Sequence, residues 1–310
     1  MKAFLTVIAS LTACTALYGA PSPQSTSPVR KHVPLNNGNS VFAQHVKEFE
    51  AMVAADPKNV SARVCLGNAY LEQHKFGDAF KQYKTAIQID PTYPRSYYNL
   101  GLLYYATEDY PSSIQCNQTA VRYAPNYYMA WYNLGISNRE IGKYQEEIAA
   151  MRKAAELAPM HMNPWLEIGD AYNELHDTDN AVKAYLIHLK LHPSDTNVRH
   201  LTVTHLLDLH QPDDALRLAT AGLKAAVTEY DRAFMQASIF VCQGRYQEAM
   251  RLFDKCHGLS PNEWGPYWSY SVTLYDSGDH ASARAVWRSM LASNDTRHAD
   301  WARRQLANNP

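Results

Sequence analysis

The 310-residue sequence has no excess of charge of either sign, with 29 lysines and arginines against 30 aspartates and glutamates. Phosphate backbones need a basic face, so nucleic acid is excluded as the main partner. A membrane-length hydrophobic run is also missing. The apolar stretch in "MKAFLTVIASLTAC" falls short of the about 20 residues that cross a bilayer. Cysteine is sparse and irregularly spaced (Cys14, Cys65, Cys116, Cys242, Cys256), which fits neither a disulfide framework nor a zinc pattern. Free, mostly buried thiols are expected in the mature chain. There is no Gly-rich phosphate loop, no nucleophile elbow and no His-Glu-x-x-His helix. His188 and His192 stand four apart, on one helix face, but no third ligand of defined spacing joins them. No catalytic residue, cofactor or metal is therefore assigned.

What the chain does have is aromatic supply, with 21 tyrosines and 6 tryptophans, and a strict internal period. Pro57, Pro91, Pro125, Pro159 and Pro193 are each 34 residues apart, and Pro261 keeps the register two steps later. In phase with them lie "RVCLGNAY", "YYNLGLLY", "WYNLGISN" and "WLEIGDAY", each with a glycine (Gly67, Gly101, Gly135, Gly169) inside a helical pattern. Ala79, Ser113, Glu147, Ala181, Ala215, Ala249 and Ala283 recur at the same interval. Four residues beyond them come Tyr83, Asn117, Met151, Tyr185, Ala219, Phe253 and Trp287. A glycine inside a helix costs about 1 kcal/mol relative to alanine, so its recurrence implies a close helix crossing. Turns are expected at Gly77-Asp78, Asp109-Tyr110-Pro111, Gly142-Lys143 and Gly278-Asp279.

These features resemble the tetratricopeptide repeat, over almost all of the chain from Ser40 onward. The resemblance implies an all-α fold, a right-handed superhelical solenoid of about seven helix-turn-helix units. The units are expected to start near Val60, Pro94, Tyr128, Met162, Thr196, Tyr230 and Trp264 and to end by residue 295. A capping helix over 40–54 precedes them, and another over 296–308 follows, with Trp301 and Leu306 inward and Arg303 and Arg304 outward. The fifth unit departs from the pattern, with Arg199 in place of the tryptophan and Val203 in place of the glycine. Altered packing is expected there.

The N-terminus reads as an export signal, basic at Lys2 and then apolar. Its end, Leu11-Thr12-Ala13-Cys14, resembles the lipobox of bacterial lipoproteins, in which the cysteine is lipidated and begins the mature chain. The alternative is an ordinary signal cut elsewhere. Its best site, after Ala20, is followed by an unfavourable Pro21. Residues 1–14 are thus expected to be signal. Residues 15–39, rich in proline, serine and asparagine, form a tether reaching roughly 25–30 Å.

In proteins with such repeats the first helices line a groove that takes peptides or partner proteins. The resemblance places Tyr98, Leu102, Tyr105, Tyr132, Ile136, Asp170, Glu174, Phe234, Trp268 and Tyr275 in it. Acidic residues at groove positions (Glu72, Glu140, Asp170, Glu174, Asp208, Asp231, Asp276) outnumber Arg95 and Arg139. The expected partner segment is basic with apolar ends. The carboxylate clamp of chaperone-binding relatives is not expected, because Val64, Met129 and Asn133 replace its basic residues. The architecture is similar to bacterial envelope lipoproteins of this type, such as pilotins and adaptors that recruit peptidoglycan hydrolases. It implies a lipid-anchored binding scaffold, facing the periplasm from the outer membrane. A non-lipidated secreted or soluble co-chaperone-like binder and an enzyme with an unrecognised site are the alternatives.

Overall fold

The computed structural model describes residues 38–260, 265–276, 278–291 and 296–308, and every element in them is an α-helix. The signal, Cys14 and the tether up to residue 37 lie outside the described residues. No helix among the described residues is long and apolar enough to cross a membrane. The chain divides into two compact units, Met1–Pro164 and Trp165–Pro310.

In the first unit, helix α1 (Gly38–Ala55) precedes three helix pairs: α2 (Val60–Glu72) with α3 (Phe76–Ile89), α4 (Pro94–Ala106) with α5 (Tyr110–Tyr123), and α6 (Tyr128–Glu140) with α7 (Tyr144–Leu157). Val46 and Phe49 of α1 bury against Cys65, Leu66 and Ala69 of α2. The second unit contains α8 (Pro164–Glu174) with α9 (Thr178–Leu191), α10 (Thr196–Asp208) with α11 (Pro212–Ala225), α12 (Glu229–Cys242) with α13 (Tyr246–Leu259), and α14 (Gly265–Asp276) with α15 (His280–Met290). It ends in α16 (Thr296–Asn308). Apart from α1, these helices are too short to be stable alone in water, so packing between them supplies the stability.

The glycine question is answered by volume exchange. A Cβ on Gly67 would strike the Tyr83 ring, with Cδ1 at 2.8 Å, and one on Gly101 would come 2.7 Å from Asn117 Nδ2. Gly135 faces Met151 and Gly169 faces Tyr185 in the same way. The small residue of each first helix makes room for the large one 16 positions later on its partner. The pattern continues with buried Ala237 and Phe253, and with Ser271 and Trp287. In the fifth pair the sizes are swapped: Val203 on α10 and Ala219 on α11, both fully buried. The glycine of that pair has moved to Gly222 on α11, where a Cβ would lie 2.7 Å from Arg199 Cδ. That is the altered packing, and its cause is steric.

Arg199 itself fits a rule that residue type conceals. The Arg63 guanidinium (Nε, 2.8 Å), Tyr97 hydroxyl (2.9 Å) and Trp131 indole (Nε1, 2.8 Å) donate to the carbonyls of Pro57, Pro91 and Pro125. Arg199 donates likewise to Pro193. The requirement at this position is a long donor that satisfies the carbonyl at the end of the preceding repeat.

The turns inside the pairs also share one geometry. Positive φ occurs at His74, Glu108, Gly142, His176, His210, Gly244 and Gly278, again 34 apart. The next amide in each donates five residues back, from Lys75 to Tyr70 (2.9 Å) through Asp279 to Leu274 (2.9 Å). This left-handed C-terminal cap ends all seven first helices. Gly77, expected to mark a turn, is instead inside α3, and His74 takes the left-handed position. Arg304, expected to point outward, is half-buried and bonds His176 at the α8–α9 turn. The Trp301 side chain lies outside the described residues.

Candidate functional site

The first helices stand side by side within each unit, and their positions at the expected groove can be followed one by one. In the first unit Tyr98 on α4 is fully buried, its ring 5.0 Å from Tyr127 at the start of α6. Leu102 is buried in the same cluster, and Tyr132 is buried as well. The surface role expected of these three is corrected, because each is buried. Tyr105 and Ile136 remain half-buried and reachable. The Tyr105 hydroxyl donates to Glu140 Oε1 at 2.8 Å, and its ring stands edge-on to Tyr110 at 5.5 Å. Burial and the Glu140 carboxylate push the Tyr105 phenol well above its usual range.

In the second unit Phe234 is likewise corrected from groove wall to core. It is 1% exposed and packs on His200 (4.5 Å), Tyr230 and Phe253. Trp268 and Tyr275 are half-buried. Trp268 lies edge-on to His205, and Tyr275 lies 4.3 Å from His280. Asp170 is half-buried and accepts from the Tyr185 hydroxyl at 2.9 Å, while Glu174 is exposed. So the reachable part of the expected set is Tyr105 and Ile136 in one unit, and Asp170, Glu174, Trp268 and Tyr275 in the other.

The acidic character is also redistributed. Desolvation pushes the Glu72 carboxyl up to about 7, so it carries only part of a charge at neutral pH. Asp231 is buried and forms a capping box with Thr228 at the start of α12, and it lies 3.4 Å from His200 Nε2. The side chain of Asp276 lies outside the described residues. Exposed Glu140 and Glu174 present the clearest negative charge. Arg139, counted against them, turns to Glu147 on α7 and donates to its carboxylate. That pair was missed from sequence, although a glutamate among alanines and a serine at the same repeat position is a visible signal.

The histidines settle into distinct roles. His188 is buried with Nε2 3.0 Å from Asp195 Oδ2, and His192 lies 4.8 Å from it, ring to ring. Among the described residues no group of three or more metal-ligating side chains forms. Cys116, Cys242 and Cys256 are free, and burial raises their thiols to about 11, 11 and 12, so they are poor nucleophiles. Cys65 is fully buried, packed against α1.

Fold and surface together define an all-α repeat array, a class that works as a protein–protein interaction scaffold. A TPR repeat model matches residues 67–108, and a tetratricopeptide repeat model matches residues 98–161. Together the two models match residues 67–161 as tetratricopeptide repeats. Among solved structures, YrrB, described as a TPR protein with an unusual peptide-binding site, is 14% identical, with a TM-score of 0.51. That match covers 62% of this chain and 97% of YrrB, and shows the shared fold. MamA matches at 24% identity over 53% of this chain and 97% of its own, with a TM-score of 0.46. The pilF protein of Pseudomonas aeruginosa matches at 14% identity over 70% and 97%, with a TM-score of 0.49. No curated protein matches the sequence.

Proposed function

We propose that the first-helix face of each unit of this scaffold can capture a basic, apolar-ended segment of another envelope protein. The observation that carries this reading is the set of reachable aromatic and acidic side chains on those helices, Tyr105 with Glu140 in one unit and Trp268, Asp170 and Glu174 in the other. Aromatic rings give large contact area at low entropic cost, and the carboxylates favour a cationic centre. Synthetic peptides with a lysine-arginine centre and leucine or phenylalanine ends are the direct probe, compared with the same peptides carrying glutamate centres. The basic set should bind more tightly, and the preference should shrink as salt rises. Asp170→Asn with Glu174→Gln should slow association and flatten its salt dependence, whereas Tyr105→Ala should mainly speed dissociation. Equal binding of acidic and basic peptides would remove the charge argument. Tyr98 and Tyr132 are unsuitable probes, since truncating either one opens the core.

The same proposal places the protein in the cell envelope, held by a lipid on Cys14 with a flexible tether between lipid and repeats. Its support is the sequence around Leu11-Thr12-Ala13-Cys14 and the proline- and serine-rich segment after it. Multiple acyl chains anchor far more firmly than a single one. Cys14→Ser should therefore move the protein from the membrane fraction to the soluble fraction, or leave an unprocessed precursor. An unchanged membrane fraction of normally processed protein would refute the anchor.

A further inference from the structure

In the second unit the first helices do not meet their immediate neighbours alone. Helix α10 of the fifth pair packs directly on α14 of the seventh, past α12 of the sixth. In the first unit the corresponding contacts run from α2 to α4 and from α4 to α6. His205 sits at the α10–α14 crossing. Its ring lies parallel to Tyr185 of α9 (6.2 Å, 9°) and edge-on to Trp268 of α14 (5.5 Å, 78°). The side chain is 1% exposed, and neither ring nitrogen has a hydrogen-bond partner.

The charged groups around it are engaged elsewhere or turned to water. On α9, the Tyr185 hydroxyl is held by Asp170, His188 bonds Asp195, and Asp179, Lys183 and Lys190 are exposed. On α11, Asp213, Arg217 and Lys224 are exposed, and Asp214 pairs with Arg217. On α12, Glu229 and Arg232 are exposed, and Asp231 faces His200, with Arg199 close by on α10. The described side chains of α14 carry no charge, its titratable groups there being the phenols of Tyr270 and Tyr275. On α10 itself, Asp208 is half-buried one turn away but bonds neither ring nitrogen, so a proton on His205 would meet the faces and edges of two aromatic rings.

We propose that the α10–α14 contact is a proton-sensitive latch: neutral His205 holds it shut, and protonation opens it and uncovers Trp268 on the first-helix face. Burial alone pushes the closed-state imidazole down to about 4, with no charged neighbour contributing. In the open state the ring meets water and titrates near its ordinary value of about 6.5. The sign follows from proton counting, since the open state binds more protons between those two values. Closure is therefore fully favoured above about pH 6.5, and each unit below it, down to about 4, moves the balance roughly tenfold toward opening.

Hydrogen exchange of the full chain, corrected for the intrinsic pH dependence of amides, tests this. Between pH 6.5 and 4.5 the α14 amides should lose protection by about fortyfold, while α4 to α7 keep theirs. His205→Phe keeps a ring but cannot take the proton, and should abolish the change. His205→Gln serves the same purpose if the larger ring prevents folding. The latch is overturned if a folded His205 variant still shows the pH-dependent loss, or if both units lose protection together.

Discussion

Arg139→Ala should destabilise the first unit by about 3–5 kcal/mol, the usual cost of removing one partner from a buried ion pair. Glu147 is 0% exposed, and the Arg139 guanidinium that faces it across the α6–α7 pair is itself only 24% exposed. Without the cation the carboxylate stays in the core, or protonates there at a cost. The size of the loss comes from what is left behind, so a second change should reverse it. Glu147→Ala restores the residue found at Ala79, Ala181, Ala215, Ala249 and Ala283, and Arg139 has enough exposure to hydrate once released. The double variant Arg139→Ala with Glu147→Ala should therefore be close to the parent, or more stable. Urea unfolding of the two single variants and the double reads this directly. Additive losses would mean that the pair is not the source of the effect.

Gly169→Ala should cost the second unit about 1–3 kcal/mol, whereas the same change at Gly135 should be nearly neutral. Both glycines lie in first helices at the same repeat position, and alanine gains about 1 kcal/mol of helix propensity at either. The difference lies in what the new methyl meets. At Gly169 it runs into the Tyr185 ring, with Cδ1 at 2.5 Å, and that phenol is held by Asp170 and packed on His205. A rigid ring fixed at both its tip and its face cannot step aside. At Gly135 the nearest atom is the terminal methyl of Met151 at 2.8 Å, the free end of a flexible chain. Thermal melts of the two variants should separate them clearly, and equal shifts would contradict the volume-exchange account.

The fold class could be read from the sequence because its evidence is periodic. Prolines, glycines and alanines at a 34-residue interval report many copies of one local solution, so noise at any single position averages out. The turn residue was harder to read for a physical reason. His74, Glu108, His176 and His210 occupy the same left-handed position as Gly142, Gly244 and Gly278, although that backbone disfavours a side chain. The cap hydrogen bonds and the packed helices on both sides hold it there, and neither has a sequence signature. Gly77 drew attention because glycine usually marks such a place.

The site was legible in one respect and hidden in another. Repeat phase shows which residues belong to the first-helix face. Exposure depends on how closely the next first helix approaches, and it separates buried Tyr98 from reachable Tyr105 on the same helix. Charge was hidden similarly, since Asp231 looks like a surface carboxylate until its bonds to Thr228 are seen. By residue type Arg199 breaks the pattern. Compared as donors to a proline carbonyl, Arg63, Tyr97, Trp131 and Arg199 are one series.

The α10–α14 crossing has a kinetic consequence as well. In the first unit every helix packs on partners no farther away than the next repeat, so each contact closes a short loop and folding can spread outward from any pair. In the second unit the crossing joins helices two repeats apart, with α11, α12 and α13 in the chain between them. Closing that longer loop is an entropic toll that must be met before the contact returns anything. The contact order of the second unit is raised accordingly, and its search for the native state is the slower of the two. A chain emerging from synthesis would complete the first unit while the helices of that crossing were still unmade, leaving Trp268 among the last side chains to find its place.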